Sequence, residues 1–230
     1  MGRDGGSTST ARLRPVGIVV ALTALIGATS SVLVGWGAKP TVNTFVAVNA
    51  PAQSLMSVLL PLSGIMLVRR LAPEAGRGPR WVLARAAGCA LLVAVVGVAV
   101  CAGVAAAVPA ATARWTHAST AVLGSLLVQL VAQSVGTALG LLVRRMVVAF
   151  LATIVLPLGL WFLLGVSSAA APAQAWVTPF AGATRLLSGQ VSGVGWLQWL
   201  LMAALWSLAL NALALRPVLA ARKHQPPVAG

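Results

Sequence analysis

The chain has 230 residues, of which 59% are hydrophobic and only 8% charged, and its formal net charge is +14. A soluble domain of this size carries about 25% charged residues, so the composition excludes a protein wetted on every face. The basic excess is scattered over short segments without a continuous basic stripe, which argues against a nucleic-acid binder and for contact with anionic lipid headgroups.

Charged residues cut the chain into uncharged runs at 15–38, 40–68, 86–113, 115–143, 146–184 and 186–215. A helix needs about 20 apolar residues to cross the hydrocarbon core, so each run predicts one crossing. The expected fold is an all-α integral membrane protein of six transmembrane helices, at 15–38, 47–68, 82–108, 118–143, 146–168 and 195–215, with tails at 1–14 and 220–230.

The first span follows a basic "ARLRP", which could open a signal peptide. Its uncharged run is 24 residues long and closes on Trp36 and Lys39, whereas a signal core has about 7–15 apolar residues, so a retained span is expected. Thr23, Gly27, Ser31 and Gly35 recur at four-residue steps and share one face. The second span carries a similar face of Gln53, Ser57, Pro61 and Gly64. Cys89 and Cys101 fall in the third, roughly 18 Å apart along a helix, too far to pair with each other. In the fourth, Gln129, Gln133, Gly136, Thr137 and Gly140 share a face, and "GTALG" is a G-x-x-x-G. Packing between helices explains such faces. The alternative is that Gln53, Ser57, Gln129, Gln133 and Thr137 line a substrate pathway or a subunit seam.

The fourth and fifth runs are separated only by Arg144 and Arg145. Each arginine at the centre of a membrane helix costs about 2.5–3.5 kcal/mol, so the pair predicts a tight hairpin tip. Pro157 should kink the fifth span. The segment 169–194 is long and apolar, and Phe180, Ala183, Thr184 and Leu187 would share a helical face with Arg185 turned away. It could lie in the interface or dip back into the membrane. Tryptophan alone must form the interfacial belt, since tyrosine is absent, and Trp36, Trp115, Trp161, Trp196 and Trp199 are its expected members. Thirteen Lys and Arg residues fall on one side of this topology and three (Lys39, Arg114, Arg185) on the other, so both termini are expected in the cytoplasm.

The chemistry is sparse. Asp4 and Glu74 are the only acids, and His117 and His224 the only histidines. No span holds a charged residue within it, which disfavours an ion-coupled transporter. There is no H-E-x-x-H, G-x-S-x-G or carboxylate pair, so no catalytic or metal-binding residue is expected and the chain reads as a non-enzyme. His117 reads as a solvated loop residue.

Six spans, a basic second-to-third loop, the arginine turn into the fifth span and "TPFAGATRLLSG" before the sixth together resemble the ABC-2 type permeases, over residues 12–220. The resemblance implies an exporter subunit of the cell membrane, and the absence of charged residues at membrane depth points to hydrophobic or amphipathic cargo. The resemblance also implies two protein partners, an ATP-binding cassette subunit that carries ATP and Mg, and a second permease copy. This chain itself would bind no cofactor, and it contains no G-x-x-x-x-G-K-[ST]. By the same resemblance the loops that couple to the ATPase comprise Glu74, Gly76, Arg77, Arg80 and Arg85 in the second-to-third loop, with Arg144 and Arg145 in the next. Pro73, Gly78 and Pro79 limit any coupling helix there to under two turns. The rival expectation is a non-transporting anchor or accessory subunit of a larger membrane complex.

Overall fold

The structure, a computed structural model, describes residues 7–37, 44–71, 79–109 and 113–223. It is all-α, with no strand among the described residues. Five long helices come first: α1 (Ser7–Gly37), α2 (Phe45–Leu71), α3 (Pro79–Ala107), α4 (Ala118–Leu142) and α5 (Met146–Val166). A 3-10 turn (Ala171–Ala173) leads into two short helices, α6 (Gln174–Val177) and α7 (Pro179–Leu187). The chain ends in α8 (Gly193–Ala203), a π-helical stretch (Ala204–Ala209) and α9 (Leu210–Lys223). Six segments are long and apolar enough to cross a membrane, the sixth being Gly193–Arg216.

The two most buried helices carry the polar and small-residue faces, although hydropathy does not order all six spans: the sixth, at 1.5, is 28% buried, and α3, at 2.7, is 33% buried. In lipid an apolar helix gains nothing by hiding its side chains, so small and polar faces determine association. Accordingly α2 and α4, with mean hydropathy 1.6 in their most apolar windows, are 56% and 61% buried there, whereas α5, at 2.5, is 6% buried. The G-x-x-x-G of α4 is a site of backbone contact. A Cβ added at Gly136 would stand 2.4 Å from the Pro61 carbonyl oxygen, and one at Gly140 would stand 2.9 Å from Ile65 Cα. The repeat in α1 behaves likewise: Gly27 faces Met56, Gly35 faces Val104, and the Ser31 hydroxyl meets the Cys101 thiol at 3.1 Å. Cys89 and Cys101 are both free.

One end of the bundle gathers Val16 of α1, Leu67, Val68 and Leu71 of α2, and Val82 and Ala86 of α3. The opposite end gathers Phe45, Val48, Cys101, Ala105 and Ala121. The two LVRR sequences meet at the first end. Val143, which ends α4, accepts a hydrogen bond from Arg69 Nη2 of α2, while Arg144 and Arg145 are exposed in the turn. A guanidinium at a helix C-terminus satisfies an orphan carbonyl and opposes the negative end of the dipole. Arg114 does the same for α3, donating to the carbonyls of Ala106 and Val108 at 3.0 and 3.2 Å.

The segment before the sixth span is folded inward. Gly124 of α4 lies against the Leu186 backbone, and Gly182 of α7 lies against the Trp199 ring. Gly182, Leu186 and Leu187 are buried, and Arg185 is exposed, bonding Gln198. Trp199 therefore departs from the expected belt: at 3% exposure it fills the space under α7, where only a glycine leaves room for an indole. Trp36, 77% exposed, and Trp115, 50% exposed, remain on the surface. Pro157 sits within a continuous α5. Exposed His117 adopts a left-handed φ of 59° as it leads into α4, where it touches Gly189, whose own φ is +72°.

Candidate functional site

Two features occupy the middle of the bundle, a polar seam between α2 and α4 and a cavity beside it. The seam begins where Asn49 Nδ2 donates to Ser125 Oγ at 2.9 Å. One turn further, Gln129 Nε2 donates to both the backbone oxygen and Oε1 of Gln53, each at 2.9 Å, and Gln53 Nε2 reaches the Ala94 carbonyl of α3 at 3.5 Å. Next, Ser63 Oγ lies 3.1 Å from Gln133 Oε1. Lower still, Thr137 Oγ1 lies 3.1 Å from Asn211 Oδ1, and Asn211 Nδ2 donates to the carbonyls of Ser134 and Ser207.

The π-helical stretch makes the last contact possible. One extra residue in a turn rotates the remainder of the helix about its axis. Within the stretch, Trp206 Nε1 donates to the Val177 carbonyl and Ser207 meets Ser134 at 2.7 Å, and Asn211 just beyond it faces α4. Asn49, Ser63, Ser134, Ser207 and Asn211 are not among the residues singled out from the sequence, although Asn49 extends the Gln53 face by one four-residue step and Ser207 and Asn211 are themselves four apart.

Gln53, Gln129, Gln133 and Thr137 are all within 1% of complete burial and face partners inside this chain. Three seam amides retain one end without a partner: Asn49 Oδ1, Gln129 Oε1 and Gln133 Nε2. Ser57 is placed differently. Its hydroxyl bonds back to the Ser54 carbonyl, and it lines the cavity.

That cavity has a volume of about 200 Å³ and is walled by α2, α4, α5 and α7, with Trp199 at one side. Its α4 wall runs from Val128 to Val135, residues that lie roughly 15 to 25 Å from the start of that helix at 1.5 Å per residue. Its α2 wall runs from Ser54 to Pro61, roughly 13 to 24 Å in. The cavity is thus at mid-span. The α7 residues expected to share a face are divided, since Phe180, Ala183 and Thr184 line the cavity while Leu187 is buried.

Of the residues expected to meet an ATPase, Glu74, Gly76 and Arg77 lie outside the described residues, as does the Arg80 side chain. Arg85 is exposed, its guanidinium 4.4 Å from the Trp81 ring centroid, and Arg144 and Arg145 are exposed at the same end of the bundle. Among the described residues no cluster of His, Cys, Asp or Glu could hold a metal ion.

Comparison with family models, with curated proteins and with solved structures found no match to this chain.

Proposed function

We propose that this chain is the membrane-spanning permease subunit of an ATP-driven exporter of hydrophobic or amphipathic molecules. The observation that carries the reading is the mid-span cavity, walled on one side by a short helix that packs against α4. Its lining contains no ionisable side chain, so no residue there can carry a proton across the membrane. An ATP-binding partner would supply the energy, and the exposed Arg85, Arg144 and Arg145 share the end of the bundle at which α2 ends and α3 begins. The excess of Lys and Arg supports a cytoplasmic position for that end and both termini in a cell-membrane protein.

Two measurements test this. Reporter fusions after Lys39, Arg114 and Arg185 should report outside, and fusions after Arg70, Arg145 and Lys223 should report cytoplasm; an external carboxyl terminus overturns the topology. The chain should also copurify with an ATP-binding subunit. Glu74→Ala should release that subunit or uncouple hydrolysis from transport while membrane levels stay normal, as expected if Glu74 is half of a buried pair whose loss costs about 3–5 kcal/mol. Copurification with an unrelated complex and no ATPase would favour the second reading, a non-transporting anchor or accessory subunit. One observation favours that reading: the buried glutamines bond within the chain and leave the cavity to apolar groups.

A further inference from the structure

We propose that the mid-span cavity is a binding site for a single hydrocarbon chain. Its lining hydroxyls have no need of water. Ser54 Oγ donates to the Ala50 carbonyl, Ser57 Oγ to Ser54, Thr153 Oγ1 to Phe150, and Thr184 Oγ1 to Phe180 and Ala181. Every lining hydroxyl thus spends its proton on its own helix. An unfilled apolar recess loses the dispersion contacts of its walls, and such recesses take up apolar guests in preference to water.

Position identifies the guest. At mid-span the surrounding phase is hydrocarbon, and α5, the wall nearest lipid, has only Ala149 buried. Lipid chains reach the cavity directly, because Val58 and Phe180 of its lining are also exposed on the outside of the bundle. A cavity of about 200 Å³ with an apolar lining matches a stretch of one flexible chain. Burial of that stretch replaces chain–chain contacts in the bilayer by contacts with Val131, Val135, Ile154 and Leu158. Hydrophobic transfer is nearly neutral, so filling the void supplies the preference. Occupancy requires no ATP-binding partner and no transport.

The test uses the full chain in phosphatidylcholine nanodiscs, with a diazirine at mid-chain of either a phospholipid or a free fatty acid. After illumination, the labelled residues are mapped by mass spectrometry. Label should concentrate on Val131, Ala132 and Val135, well above Val155 and Leu151, which sit at similar depth but face lipid. Excess unlabelled chain should compete the cavity label and leave the lipid-facing label unchanged. Ala132→Trp should abolish the cavity label. Ala183→Leu, a smaller intrusion from the α7 side, should reduce it in protein that still elutes as a single species. Labelling by the phospholipid alone assigns the site to bilayer lipid, and labelling by the fatty acid alone assigns it to single-chain amphiphiles; either supports a chain-binding cavity. Equal label on cavity and lipid-facing residues, or cavity label indifferent to competitor, overturns it whatever the outcome of the ATPase copurification.

Discussion

Gly136→Val should abolish recovery of folded, monodisperse protein in mild detergent. The Cβ would stand 2.4 Å from the Pro61 oxygen and 2.6 Å from Pro61 Cα, so the clash is with backbone and no side chain can swing aside. The two helices would have to separate along the most buried contact in the bundle, breaking the seam on either side of it. Overpacking in a rigid core costs about 1–3 kcal/mol and occasionally more, and this position belongs at the upper end. Gly88→Val is the matched control. It lies on exposed α3 surface with nothing within 4 Å, and it should be indistinguishable from the parent. Equal recovery of both variants would show that α2 and α4 do not approach at Gly136.

The second large effect is expected at Asn211. Its side chain meets Thr137 and holds two carbonyls, one in α4 and one in its own helix. Asn211→Leu keeps the branched outline of the side chain and removes the amide. Interhelical hydrogen bonds in membranes are worth about 0.6 kcal/mol on average and up to about 1.7, so losing this cluster should lower unfolding free energy by about 1–2 kcal/mol, read by denaturation in mixed micelles. Thr137→Val should cost less, because Thr137 also bonds the Ser134 carbonyl of its own helix. In the double variant the two losses should fall short of additive, since they share a contact. Strict additivity would mean that the 3.1 Å approach of the two side chains contributes nothing.

The six spans are legible in the sequence because charge is nearly absent from hydrocarbon, so the positions of Lys and Arg punctuate the chain wherever it turns. The packing role of Gly136 and Gly140 is legible for a related reason, since small residues at four-residue spacing have one evident use in a membrane. Spacing does not reveal which neighbour a face meets. Gln129 and Gln133 share a face with Gly136, and that face is pressed so close to α2 that the amides close on Gln53 and Ser63 of the same chain. Ser57 has the spacing of the Gln53 face, yet it turns to the cavity. Trp199 has an interfacial place near the start of a span. A tryptophan beside a turn and a tryptophan under a returning helix have the same local sequence, and only the tertiary position of Gly182 separates them. The π-helical stretch at 204–209 has no signature in residue type at all.

The prolines at the cavity divide its walls by stiffness. Pro61 and Pro157 both line it, and neither has an N–H to offer the carbonyl one turn earlier. Those carbonyls belong to Ser57 and Thr153, which line the cavity as well. Each of these two helices therefore lacks a rung of its ladder at the same depth, the ordinary condition for a hinge. The two hinges are not equally free. Pro61 is clamped by Gly136 against its backbone, whereas Pro157 stands in a helix with a single buried residue. α2 is thus a fixed jamb and α5 a door, and any widening of the cavity towards lipid is cheapest by swinging the half of α5 beyond Pro157.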